Sequence, residues 1–446
     1  MRRMTDADPL AIRTMTCAGE EIAFSDPYVS DAQRAAAGRE TVAERTRALL
    51  PANRQRAAAA YAAGRLPDGQ DVQRVWHPRT AAELRERLGE SRCVLWASGD
   101  VLHALWRGEA ERVLLSGGLQ APMWPVEGAE GLWEASLRVR RLDEAVISVM
   151  MIGLGAADLM FGRPVTDTLT WRGPCAPGVR EVEGPLAGEV REHVLESAAL
   201  RGPRTVSVYL PPAGSFAGSL PGCVLADGEA VADFARVLEA AIASGAAPPV
   251  LLVGLHHAGD QADRSELRAQ EYLPRYKPRR FAAHLAFVTG EVIPWAVSSF
   301  PVGGGRWVSA GFSNGAAWAI GAAQRRPDVF GGVAGFSAGM VPKRVAGTSR
   351  GVRHYLAAGT LEEGFRLPTL EWASRLRRAG VPCSHHEWAG GHDPFWWRRT
   401  LPEALAWLLA SGNWHQGAGV RTGRSGRSGR SGRSGRPGRP GRLDSG

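Results

Sequence analysis

Long apolar runs are missing from this chain of 446 residues. No stretch of about 18 consecutive apolar residues occurs, so no transmembrane helix is expected. The opening segment, MRRMTDADPLAIRTMTCAGEE, is basic but holds no apolar stretch of signal-peptide length, which makes the cytoplasm the expected location. Cysteine is scarce and scattered. Cys17, Cys93, Cys175, Cys223 and Cys383 are odd in number and never in CxxC spacing. That pattern argues against a disulfide framework and against a zinc site.

A net charge of +9 raises the question of nucleic acid. Most of that charge sits at one end. Residues 417–446 contain eight arginines and a single acid, Asp444, so the rest of the chain is nearly balanced. The repeat GRSGRSGRSGRSGRPGRPGR cannot bury a core and is expected to be a solvated, disordered tail. Weak, salt-dependent contact with nucleic acid through it is the alternative.

Four segments are expected. Residues 1–81 form an Ala/Arg-rich extension, partly helical, with AERTRALL and NRQRAAAAYAAGRL as its helical stretches. In residues 82–187, short apolar or alternating runs (CVLWASG, HALWRG, RVLLSGG, LWEASLRV, AVISVMMIG) are punctuated by Gly, Pro and Asp, which suggests a β-sandwich. Residues 188–416 alternate strands with helices, the pattern of an α/β domain with a mostly parallel sheet covered on both faces. Residues 417–446 are the tail. In such a sheet a site lies beyond the carboxyl ends of the strands.

Two stretches of the α/β segment, GFSNG at 311–315 and GFSAG at 335–339, fit Gly-x-Ser-x-Gly. That pattern places a nucleophilic serine on a sharp strand-to-helix turn. Ser313 has an apolar strand before it and an Ala-rich helix after it. Ser337 is followed by MVPKRVAGTSR, which has little apolar periodicity, so it is expected beside the site rather than as nucleophile. The N–H of Asn314 is a candidate oxyanion donor at a helix start. A second donor is expected from the turn after the third strand, at Gly228 or Glu229. The general base is expected in GGHDP at 390–394, where two glycines free the loop to present His392. His354, His385 and His386 fall inside strands. An acid to orient the base is expected in GTLEEG, where both Glu362 and Glu363 stand. Asp393, adjacent to His392, is a poor orienter because neighbouring side chains in a turn usually diverge.

These residues resemble a family. VSVYLPP, VLADGE, PPVLLVGL, RSEL, EVIPW, SAGFSNGAAWAIGAAQRRPDVFGGVAGFSAG, AAGTLEE and GGHDPFWWR occur in the order found in the enterochelin (enterobactin) esterase-like family, in the Putative esterase group of the α/β-hydrolases. The resemblance implies an α/β-hydrolase domain preceded by an immunoglobulin-like β-sandwich domain, to which LWRG, VLLSGGLQAPMWPV and LWEASLRV correspond more loosely. It places the nucleophile on Ser313, the base on His392 and the acid on Glu362. Ser337 falls near the substrate. Arg264 and Glu266 fall on an Arg/Glu-Leu stretch near the site, where they are expected to pair, with Arg264 also a candidate for an anionic substrate.

The implied activity is hydrolysis of carboxylic esters, with the trilactone backbone of a catecholate siderophore, free or ferric, as the family's substrate. The partner is then a small-molecule ester, and no metal or organic cofactor is needed. A feruloyl or acetyl sugar ester is an alternative substrate. A non-catalytic binding protein on the same fold is an alternative of another class.

Overall fold

The computed structural model describes residues 8, 10–26, 29–158, 168–258 and 264–410, the side chains of Arg264 and Ser265 excepted. The Arg/Gly/Ser tail, and with it any contact of the tail with nucleic acid, lies outside the described residues.

The carboxyl-terminal half is built on eight strands: β1 (Glu189–Ser197), β2 (Gly202–Leu210), β3 (Gly222–Ala226), β4 (Leu251–Leu255), β5 (Trp307–Phe312), β6 (Phe330–Phe336), β7 (Arg353–Gly359) and β8 (Cys383–Trp388). They pair in the order β1-β2-β4-β3-β5-β6-β7-β8. β2 is antiparallel to both neighbours, and every pairing from β4 to β8 is parallel. The central strands LLVGL and FGGVAGF are buried throughout, as strands covered on both faces must be. The edge strand β1, EVREHVLES, is polar and mostly accessible, which suits a sheet edge.

Side chains alternate between the two faces. Along β3, Val224 and Ala226 join one core with Phe281, Trp318 and Trp372, while Cys223 and Leu225 join the other with Phe234, Leu238 and Leu405. The run Pro278–Ser299 (22 residues, mean hydropathy 1.3) is, among the described residues, the one helical stretch long and apolar enough to cross a membrane. Here it lays Phe281, Leu285, Phe287, Val288, Val292 and Ala296 on the sheet, as a core helix does.

The amino-terminal half holds an antiparallel β-domain. Strands Cys93–Ser98, Val101–Arg107, Arg112–Gly117, Ala121–Pro125, Leu132–Val139, Val146–Leu154 and Leu169–Arg172 form one hydrogen-bonded path, and Val72–Arg74 pairs with Leu132–Val139 off that path. Its end strands fold back to lie near each other around a core of Leu102, Trp106, Leu115, Leu137, Ile147 and Met151. That core also takes in Leu361 and Ala389 from the α/β half. Before Cys93–Ser98 the chain also forms a hairpin (Arg13–Cys17 and Glu20–Phe24) and helices Asp31–Ala36, Val42–Ala63 and Ala81–Leu88. Each of these helices begins with a reciprocal Ser/Thr-to-Gln/Glu capping box: Ser30 with Gln33, Thr41 with Glu44 and Thr80 with Glu83. The two Ala/Arg-rich stretches are one helix, which runs through Pro51.

Candidate active site

Every candidate catalytic residue except Arg264 and Glu266 sits just past the carboxyl end of a parallel strand. Ser313 follows β5, Ser337 follows β6, Glu362 follows β7, His392 follows β8, and the 227–230 turn follows β3.

Both Gly-x-Ser-x-Gly serines occupy the left-handed region, Ser313 at φ 56° and Ser337 at φ 54°. Positive φ at a non-glycine residue is strain that a functional turn keeps. Around Ser313 the glycines are required by space. A Cβ on Gly311 would lie 2.4 Å from the Gly315 carbonyl group, and one on Gly315 would lie 2.9 Å from the Ala226 methyl. The helix Asn314–Arg325 begins directly behind, with Ser313 at its cap position and no side-chain cap. The first N–H groups of a helix have no carbonyl one turn back, so that of Asn314 has no intrahelical acceptor.

Accessibility separates the two serines. Ser313 is half-buried, whereas Ser337 is 0% exposed. Ser337 donates its hydroxyl hydrogen to Glu362 Oε1 at 2.6 Å and accepts the indole N–H of Trp397 at 2.9 Å. The expectation that Ser337 meets substrate is therefore corrected. It stands behind the acid, sealed off by Trp397, and supports the acid instead.

Glu362 is buried and receives three hydrogen bonds: from Ser337, from the Gly359 N–H at 2.6 Å and from His392 Nδ1 at 2.7 Å. Such donors offset the cost of burying a carboxylate. A carboxylate can only accept, so Nδ1 of His392 carries the hydrogen of this bond, which leaves Nε2 as the basic nitrogen of the neutral imidazole. The imidazole is held on two sides. Phe365 stacks on it at 4.0 Å and Trp397 meets it edge-on at 4.8 Å. Gly339 allows this, because a Cβ there would come within 3.0 Å of the Phe365 ring. Phe312, the residue before Ser313, stacks on Trp397 at 4.4 Å, which puts the end of β5 on the same aromatic wall as the histidine. Glu363 is exposed and starts the helix Glu363–Arg378.

The turn after β3 is tightly built. Asp227 is left-handed at φ 66° and is clamped by Arg268, whose Nε and Nη2 each donate to one carboxylate oxygen at 2.6 Å. The Asp227 N–H donates to Tyr272 Oη at 3.0 Å. Gly228 is forced by space, since a Cβ would lie 2.4 Å from the His256 ring and 2.7 Å from the Gly254 backbone. The turn abuts the start of the Asn314 helix, because a Cβ on Gly315 would also come 3.2 Å from Asp227 Oδ2. Gly228 and Glu229 thus lie on a turn packed beside the elbow.

Asp227, Glu229 and His257 bring ligand-type atoms within 4.8 Å of one another. Both Asp227 oxygens already accept from Arg268, whose guanidinium offsets the carboxylate charge. The Arg264 side chain lies outside the described residues, so its expected pairing with Glu266 does too. Glu266 bonds to Gln270 at 3.0 Å and to Tyr276 at 3.5 Å.

Sequence reasoning missed Arg268, Phe365, Trp397 and the role of Asp393. Asp393 is 1% exposed, and its carboxyl is raised above the usual carboxylate range, chiefly by burial. It turns away from His392, as expected, and bonds to backbone N–H groups instead.

Residues 197–408 match the family described as Putative esterase. No curated protein matches the chain. Among solved structures, enterochelin esterase from Shigella flexneri is similar, with 18% identity, coverage of 74% of this chain and 97% of that one, and a TM-score of 0.53. The ferric enterobactin esterase from Salmonella typhimurium is similar as well, at 16% identity, 74% and 99% coverage and a TM-score of 0.52. At such identities the likeness is one of fold, and that fold is α/β-hydrolase-like.

Proposed function

We propose that the chain is a carboxylic ester hydrolase with Ser313, His392 and Glu362 as its catalytic triad, a reading supported by the match of residues 197–408 to the Putative esterase family. The observation that carries the reading is the 2.7 Å bond between His392 Nδ1 and Glu362 Oε2, taken together with a serine on a strained, glycine-flanked strand-to-helix turn. Nε2 of His392 takes the proton of Ser313 as its oxygen attacks the ester carbonyl, and returns it to the leaving alkoxide. Glu362 holds the imidazole in the required tautomer and stabilises the imidazolium. The N–H of Asn314 and one from the Gly228–Glu229 turn receive the oxyanion. Water, activated by the same histidine, then releases the acid.

The substrate is proposed to be the ester backbone of a catecholate siderophore, free or iron-loaded. The support is the ordered set of family stretches and a fold similar to that of enterochelin esterase and ferric enterobactin esterase. The amino-terminal domain is read as immunoglobulin-like, on its antiparallel strands and enclosed core.

The test is hydrolysis of a short aryl ester and of an iron-loaded catecholate trilactone by the native chain and by Ser313→Ala, with fluorophosphonate labelling alongside. Loss of turnover and labelling in Ser313→Ala is expected. An active Ser313→Ala would sink the triad, and a native enzyme that cleaves only the aryl ester would sink the siderophore assignment.

A further inference from the structure

We propose that Asp393 is a positioning residue, which fixes the loop carrying His392 onto the amino-terminal β-domain, so that turnover in the α/β half depends on contact with that domain. The proposal rests on the reading of His392 as the base. Asp393 Oδ2 accepts the N–H of Ser148, in the strand Val146–Leu154, at 2.6 Å. Its Oδ1 accepts the N–H of Phe395 at 2.9 Å and so starts the helix Pro394–Leu409. One buried carboxylate thus bonds across the domain boundary and within the loop at once.

Other contacts converge on the same place. Trp396 Nε1 donates to the Val146 carbonyl at 3.0 Å. Gly391, just before the histidine, lies so close to the β-domain that a Cβ there would be 2.0 Å from the Gly118 carbonyl oxygen. The Gly118 N–H in turn donates to the Ser148 carbonyl at 2.7 Å. Leu361, one residue before Glu362, and Ala389, three before His392, are buried in the β-domain's own core. The acid and base loops therefore lean on a surface that belongs to the other domain. A proton shuttle tolerates little displacement, since a shift of about 1 Å can cost roughly 100-fold in rate. The scaffold for that tolerance here is Ser148 and Val146, reached through Asp393 and Trp396.

The experiment measures kcat and KM for aryl-ester hydrolysis across pH in the full chain, with melting curves to check folding. The variants are Asp393→Ala, Asp393→Asn, Gly118→Ala and Ser313→Ala. Asp393→Ala is expected to lower kcat by about 10- to 100-fold, with KM within about twofold of native and the histidine limb of the kcat–pH profile displaced. Asp393→Asn, with one accepting oxygen left, is expected to keep part of the rate. Gly118→Ala leaves every catalytic side chain intact but sets a methyl 3.1 Å from both Asp393 Oδ2 and the Ser148 nitrogen. It is expected to give a smaller loss of kcat in the same direction, and it decides the matter if Asp393→Ala fails to fold. Native kcat and an unmoved pH profile in the folded Asp393 and Gly118 variants, with Ser313→Ala inactive, would overturn the proposal alone. Full activity in Ser313→Ala would overturn the reading of the site and the proposal with it.

Discussion

Ser337 gives its hydroxyl hydrogen to Glu362 across 2.6 Å, and so the second of two matching serine motifs serves the first. The carboxylate that orients His392 is itself oriented by a serine that solvent does not reach. Ser337→Ala takes away a hydrogen bond to a charged, buried group and leaves the Trp397 N–H unpaired. A loss of about 1–3 kcal/mol in unfolding free energy is expected. The fall in kcat should be about tenfold, against roughly a thousandfold or more for Ser313→Ala. Urea unfolding and aryl-ester kinetics measure the two effects separately.

Arg268 neutralises Asp227 in a bidentate pair under the elbow, with side-chain exposures of 19% and 10%. Arg268→Met strands a mostly buried carboxylate, which costs about 3–5 kcal/mol when such a pair is broken from one side. Activity should fall too, because the turn bearing Gly228 and Glu229 loses its anchor. Arg268→Lys should rescue little, since an ammonium cannot replace the two-pronged contact. Denaturant midpoints and kcat of the pair of variants check this.

Gly311→Ala and Gly364→Ala are the same chemical change with opposite expected outcomes. At Gly311 the methyl would sit 2.4 Å from backbone atoms of Gly315, and backbone cannot step aside as a side chain can. A cost of about 1–3 kcal/mol and a collapse of turnover are expected there. At Gly364, in the first turn of a helix, nothing lies within 4 Å. There the change should leave activity intact and stabilise by about 0.4–1 kcal/mol through the unfolded chain. Thermal melts of both variants read the contrast directly.

His284 and His354 are fully buried, and burial lowers both from 6.5 to about 3. The unfolded chain protonates each near 6.5, while the folded chain does so only near 3. Between these values the unfolded state binds more protons, so stability rises with pH and is lost on acidification below about 6.5. Each histidine contributes a slope of about 1.4 kcal/mol per pH unit within that window. His354→Leu, which packs against Trp372 without a proton to gain, should flatten the acid limb. Urea midpoints at pH 7 and pH 4.5 for native and variant chains give the answer.

How much of this could be read from the sequence depends on how local the signal is. The strand, turn and helix around Ser313 are contiguous, and their apolar pattern and glycines are visible in about 20 residues of sequence. Glu362 and His392 were legible as loop residues at strand ends in the right order, and the structure brings those two side chains together. The place of Ser337 was not legible, because its burial is made by Trp397, 60 residues further along the chain. Asp393 was correctly set aside as an orienter, yet its partner Ser148 lies 245 residues away, in another domain. The hairpin Arg13–Phe24 escaped notice because its turn puts Ala18 at φ 49°, where asparagine or glycine is the usual cue. The strand Val72–Arg74 fell in the extension by composition, but it pairs with Leu132–Val139 in the β-domain.

The helix that begins at Asn314 is left without a side-chain cap, whereas three amino-terminal helices carry full capping boxes. The residue at the cap position is Ser313, the proposed nucleophile. A serine that capped its own helix would turn its oxygen inward and lose its use. An open helix start costs about 1 kcal/mol, and the resting enzyme bears that cost. An oxyanion formed on Ser313 would supply the missing acceptor, so that the reacting ester itself closes the helix. A covalent phosphonate on Ser313, formed with loss of fluoride, keeps a phosphoryl oxygen that can accept from the helix start, and it should raise the melting temperature.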